Sequence, residues 1–102
     1  MADEFDIAKL ITLSTAHITD KTSLLLDKEW KENNFQIAVY EKNGYGFFIY
    51  IDEGTKEKAF DDSSDLPKDL KACIKFAAEK ECEWLCLDCD AEPIDELPRY
   101  EW

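Results

Sequence analysis

The sequence predicts a two-layer α+β domain of four strands and two helices, and three observations predict it. Two apolar runs flank Asn43-Gly44, the dipeptide that best accepts the positive φ angles of a two-residue type I′ turn. Short strand-like stretches, residues 7–14 (IAKLITLS) and 83–89 (EWLCLDC), stand toward either end of the chain. Two segments between them place apolar residues at helical spacing, one on each side of the hairpin.

Residues 7–14 are β-branched and nearly all apolar, which suits a strand buried on both faces. Ser14, Thr15, Ala16 and His17 then read as a polar loop. Thr19 is the N-cap expected for a helix over residues 20–32, with Asp20 favourable at its positive end. Thr22, Leu26 and Trp30 recur four residues apart, and Leu25 widens that stripe. Asn33-Asn34 ends the helix.

In the hairpin that follows, a two-residue turn faces Lys42 with Tyr45, Tyr40 with Phe47, Ala38 with Ile49 and Val39 with Phe48. One side of the ribbon then carries Phe35, Ile37, Val39, Phe48 and Tyr50; the other carries Ala38, Tyr40, Tyr45, Phe47, Ile49 and Ile51. Neither side is polar, so both need a cover. Residues 53–64 (EGTKEKAFDDSS) read as an irregular, charged connection tethered by Phe60. Ser64 or Asp65 caps the second helix, with Pro67 in its first turn. Leu66, Leu70, Cys73, Ile74 and Ala77 trace the buried stripe of that helix. Residues 83–89 alternate as a fourth strand, and Pro93 and Pro98 keep residues 91–102 extended.

The order is β-α-β-β-α-β, the ferredoxin-like arrangement, with an all-antiparallel sheet, strands one and three central and both helices on one face. The chain reads as a single domain, residues 1–102. Residues 1–90 form the core, and residues 91–102 are an extended tail packing on the open side of the sheet through Ile94, Leu97, Tyr100 and Trp102. A second subunit is the other cover, so monomer and homodimer both remain open.

The formal net charge is −12, and it is lopsided: residues 1–51 carry 8 acids against 5 bases, residues 52–102 carry 16 against 7. Such a field repels nucleic acid and anionic membrane and speeds encounter with basic partners. The first residues, MADEFDIAKL, show no basic leader, and the longest apolar run is residues 47–51, so a cytoplasmic protein with no membrane span is expected. The four cysteines crowd into residues 73–89, and they read as reduced thiols rather than a disulfide framework.

Three pieces, LSTAHIT at residues 13–19, EWLCLDCDAEPI at 83–94 and LPRYEW at 97–102, together resemble an uncharacterised family of small acidic bacterial proteins found on plasmids, phages and other mobile elements. That resemblance carries no activity and no catalytic residues. It implies genomic company in which small acidic proteins antagonise nucleic-acid enzymes.

Several motifs touch chemistry. Cys82, Cys86 and Cys89 have CxxxCxxC spacing, the pattern that holds an iron–sulfur cluster in radical enzymes. Those enzymes need a large barrel, and strand geometry would point Cys86 and Cys89 to opposite faces. Cys73, Cys82, Cys86 and Cys89 could close a zinc site, with His17 a substitute ligand, but only Cys86 and Cys89 share knuckle spacing. Buried thiols explain them more simply. His17 is the sole histidine, so a histidine base would be this one. An antiparallel fourth strand would bring it toward Cys82, yet no orienting acid or oxyanion donor can be named. Asp88, Asp90 and Glu92 would meet Asp3, Glu4 and Asp6 at one end of the sheet and could hold a hard cation, although a solvated acidic end is the simpler account. Glycine-rich phosphate loops and hydrolase signatures are missing, and lysines alternate with acids.

The sequence therefore points to a non-enzymatic interaction domain without cofactor. Its expected contacts are Asp61, Asp62, Asp65, Asp88, Asp90, Glu92, Asp95 and Glu96, set against a basic protein surface, as in a nucleic-acid mimic that inhibits a nucleic-acid-processing enzyme. The alternative is a small zinc-binding or redox domain built on the cysteine cluster.

Overall fold

The computed structural model describes residues 7–32 and 36–101, with Trp30 placed by its backbone alone. It shows a mixed α+β architecture. Strand β1 (Leu10–Ser14) leads through a 3-10 turn (Thr15–His17) into helix α1 (Asp20–Glu32). Strands β2 (Ala38–Glu41) and β3 (Gly46–Tyr50) form the hairpin, helices α2 (Glu53–Phe60) and α3 (Lys68–Glu79) follow, and strand β4 (Trp84–Asp88) completes the sheet.

The sheet order is β1-β4-β3-β2. Strand β1 pairs with β4 in parallel, while β2–β3 and β3–β4 are antiparallel. The sheet is thus mixed rather than all antiparallel, with β3 and β4 central and β1 on an edge. The even apolar character of residues 7–14 does not make β1 central: Leu10 is 45 % exposed, and the run owes its burial to Leu13.

The hairpin keeps its turn and shifts its pairing. Asn43 (φ +46°) and Gly44 (φ +82°) both take positive φ, and the Tyr45 amide donates to Lys42 carbonyl at 2.8 Å, as a type I′ turn requires. The Lys42 amide then donates past Tyr45 to the Gly46 carbonyl at 2.9 Å, so Tyr45 is an extra residue. Pairing becomes Tyr40 with Phe48, Val39 with Ile49, Glu41 with Phe47 and Ala38 with Tyr50. A one-residue slip exchanges faces: Val39, Phe47 and Ile49 join Leu13, Leu85 and Leu87 in the core, beneath Leu26, Leu70, Cys73, Ile74 and Ala77 from the helices. Leu10, Tyr40, Phe48, Tyr50, Trp84 and Cys86 line the other side. Gly46 is required here, because a Cβ at this position would stand 1.7 Å from the Leu87 carbonyl oxygen.

Helix α1 spans the predicted residues, and Thr19 Oγ1 accepts from the Thr22 amide at 3.2 Å. Asp69 on α3 locks that end: its Oδ2 accepts from the Thr19 amide at 2.7 Å and its Oδ1 from Thr22 Oγ1 at 2.8 Å. The far end is held by buried Glu29, whose Oε2 accepts from the Ile37 amide at 3.2 Å.

Helix α2 replaces the irregular connection expected over residues 53–64. It buries only Thr55 and Ala59, so no apolar stripe announces it; its signal is Asp52, whose Oδ1 accepts from the Thr55 amide at 2.8 Å. Helix α3 begins after Pro67 with no side-chain cap. Ser64 instead donates its hydroxyl to the Lys58 carbonyl, and Asp61 Oδ1 accepts from the Ser63 amide and hydroxyl. Leu70, Cys73, Ile74 and Ala77 are buried on α3 as predicted, joined by Lys71, while buried Leu66 precedes the helix. Phe35, Asn33, Asn34 and Trp102 lie outside the described residues.

Two expectations follow. Gly46→Ala forces its methyl into β4 and should cost about 3 kcal/mol or more. Gly44→Ala meets nothing within 4 Å and should cost only about 1–2 kcal/mol for its positive φ; urea midpoints compare the two. The Thr55 amide holds the Asp52 carboxyl below its ordinary range. Its contribution is complete above that ordinary value and is lost as pH falls through the lowered one. Asp52→Asn, which keeps an acceptor, should flatten that part of the acid limb, and Asp52→Ala should cost about 1 kcal/mol at neutral pH.

Candidate partner-binding surface

Among the described residues, the tail is not found on the open side of the sheet. Its contacts run to the helix side, starting from His17. That imidazole is 2 % exposed; its Nδ1 bonds the Pro98 carbonyl at 2.8 Å and its Nε2 the Ile94 amide at 3.0 Å. An amide can only donate, so Nε2 accepts and Nδ1 carries the proton to Pro98. The Tyr100 amide donates to the Ala16 carbonyl at 2.8 Å, and Ile94 and Leu97 join the core from that side. His17 is a clasp between the 3-10 turn and the tail rather than a base.

Parallel pairing explains why His17 and Cys82 stay apart. The end of β1 lies beside the end of β4, Ser14 against Asp88, whereas Cys82 precedes β4. The same geometry sets residues before β1 at the opposite end of the sheet from Asp88: the Glu83 amide donates to the Lys9 carbonyl at 2.8 Å. Asp3, Glu4 and Asp6 themselves lie outside the described residues.

The cysteines are dispersed. Cys73 is buried on α3 with its thiol toward the His17 carbonyl, and Cys86 is buried on the opposite side of the sheet, in register with Thr12 and Phe48. Cys82 is buried toward the Lys80 carbonyl and Cys89 is exposed. Burial pushes the Cys73 thiol up to about 12, with Asp69 adding to it, and raises Cys86 against the opposing pull of Lys42. Desolvation, followed by Asp90 and Asp88, raises Cys89. Raised thiols disfavour the free thiolate that nucleophilic chemistry needs. Among the described residues, the one cluster of ligand atoms close enough for a metal is Asp88, Cys89 and Asp90, and Asp88 is already bonded to Lys42.

The eight acids expected to meet a partner fall into three places. Asp61, Asp62 and Asp65 are exposed in the α2–α3 connection, where the Ser63 hydroxyl and amide keep the Asp61 carboxyl low. Asp88 and Asp90 close β4; Lys42 lowers the Asp88 carboxyl, and Asp88 Oδ1 also accepts from the Asp90 amide. Glu92, Asp95 and Glu96 lie along the tail, with Asp95 paired to Arg99 at 2.8 Å. Asp62 and Glu96 share a cavity of about 750 Å³ with Lys68, Lys71 and Lys75. The loop and tail acids therefore meet at that cavity, while Asp88 and Asp95 each contact a cation, Lys42 and Arg99.

What the sequence pattern did not reveal is the partly exposed aromatic side of the sheet. Tyr40 is 47 % exposed, Tyr50 38 % and Leu10 45 %. Ala8, Leu10, Tyr40, Phe48 and Trp84 line a shallow apolar depression of about 420 Å³. Trp84 is the centre: its ring lies 6.0 Å from Tyr40 and 5.0 Å from Tyr50, both tilted. The two apolar sides of the ribbon were visible in the sequence; the extra residue at Tyr45, which decides the exposed one, was not.

Residues 10–102 match the C-terminal domain of the family of unknown function DUF5983, and the chain belongs to that family. No curated protein and no solved structure matches it. Among the described residues, no helix is long and apolar enough to cross a membrane.

Replacing His17 by alanine strands the Ile94 amide and the Pro98 carbonyl. We expect a loss of about 1–3 kcal/mol, with hydrogen exchange accelerated first at Ile94 and Tyr100; unchanged protection there would refute the clasp.

Proposed function

We propose that this member of an uncharacterised family is a non-enzymatic interaction domain that seats a basic protein on the open side of its sheet. The observation that carries the reading is the aromatic surface of exposed Tyr40 and Tyr50 with half-buried Phe48 and Trp84, on the side away from the tail's contacts with His17. Aromatic side chains with a central tryptophan are the usual anchors of protein interfaces. A net charge of −12 opposes a second copy and favours a partner of opposite sign. Asp61, Asp62, Asp65, Asp90, Glu92 and Glu96 act at range as a steering field, since they do not line the aromatic surface.

The resemblance to small acidic proteins of mobile elements supports a narrower form: an inhibitor that occupies the basic groove of a nucleic-acid-processing enzyme in the cytoplasm. Direct nucleic-acid binding runs against the charge.

An arginine-rich polypeptide serves as the probe. Its association should slow about tenfold or more on raising the salt, and also in the triple variant Asp61→Lys, Asp62→Lys, Asp65→Lys, while dissociation changes little. Association indifferent to both salt and charge reversal would contradict the steering role.

A further inference from the structure

Own lysines already sit over three aromatic rings. Lys42 Nζ stands 5.6 Å from the Phe48 centroid, Lys75 5.8 Å from Phe60 and Lys80 5.3 Å from Phe76. Among the described residues no cation is seated over Trp84, the ring type that holds one best. Trp84 is half-buried, with Tyr40 and Tyr50 as tilted walls. The floor beside it, Ala8, Leu10 and Phe48, is apolar and suits the aliphatic stem of a long side chain.

Charge marks the same end of the surface. Exposed Glu83 immediately precedes Trp84, and exposed Asp52 and Glu53 follow Tyr50 by two and three residues. The Ile51 amide donates to the Glu83 carbonyl at 2.7 Å, so these segments lie side by side. At the opposite end Asp88 is spent on Lys42. Glu53 is paired with Lys56 at 3.5 Å and Asp52 caps α2, so of Asp52, Glu53 and Glu83 it is exposed Glu83 that is left beside the tryptophan.

Building on the interaction-domain reading above, we propose that Trp84, walled by Tyr40 and Tyr50, is the receptor for an arginine side chain of the basic protein partner. Arginine fits better than lysine: its guanidinium is planar, stacks on aromatic faces and sheds water more readily than an ammonium. The stem lies along Leu10, the guanidinium covers the indole, and Glu83 with the net charge of −12 supplies the counter-charge. A second copy of this chain is the other conceivable occupant of the surface, and it would set a net charge of −12 against −12.

The test uses the full chain and short peptides alternating serine with arginine, lysine or citrulline, the last a neutral planar mimic of arginine. We expect the arginine peptide to shift the Trp84 indole resonance and to show its own side-chain methylenes moved upfield by the ring current. Lysine should bind a few-fold more weakly and citrulline about tenfold more weakly. Trp84→Leu, which preserves apolar volume, should weaken arginine binding about tenfold, and Trp84→Phe should restore part of it. Citrulline binding as well as arginine, or Trp84→Leu binding unchanged, would overturn the receptor. Arginine-peptide shifts confined to the α3 cavity around Lys68 and Glu79 would overturn it too while leaving a protein-interaction role standing. A concentration-dependent dimer that protects Tyr40 and Tyr50 would remove both.

Discussion

Gly46 lies so close to the backbone of β4 that no side chain fits between them, and the pairing of the central ribbon follows from that approach. Tyr45 is squeezed out of the ladder, its carbonyl accepting from the Cys89 amide at 2.8 Å. Every side chain of β2 and β3 is thereby assigned to one face or the other. Val39, Phe47 and Ile49 go under the helices. Tyr40, Phe48 and Tyr50 go to solvent beside Trp84, which β4 delivers from the same side.

The remaining architecture keeps that side open. Asp69 ties α3 to the start of α1, Glu29 ties α1 to the entry of β2, and His17 ties the tail to the 3-10 turn. Each of these polar clasps gathers an element onto the helix side, and buried polar groups of this kind are held in place by the cost of leaving a partner unsatisfied. In the proposed interaction role, dispersed carboxylates would govern how fast a basic partner arrives, and the ring cluster how long it stays.

Much of this was legible in the residues. The bounds of α1, its Thr19 cap and the buried stripe of α3 were visible because capping and helical periodicity are local signals. The hairpin turn was visible in Asn43-Gly44 for the same reason. The pairing was not, because the constraint on Gly46 comes from Leu87, 41 positions away in sequence. The position of β1 was missed since an apolar run does not distinguish a central strand from an edge strand packed on one side. Helix α2 was missed because two small buried residues, Thr55 and Ala59, leave no stripe to read. The acids could be counted in the sequence, but their ion pairs could not be read there: Asp88 contacts Lys42 and Asp95 contacts Arg99.

The cross-strand distances of the hairpin test the account most directly. Because the Lys42 amide bonds the Gly46 carbonyl, alternation along the ladder makes Val39 and Ile49 a non-hydrogen-bonded pair with closely spaced α-protons. A strong α-proton contact between Val39 and Ile49 in a nuclear Overhauser spectrum is the expected result. A contact between Val39 and Phe48 instead would place Tyr40 with Phe47, exchange the two faces, and take the exposed aromatic surface away.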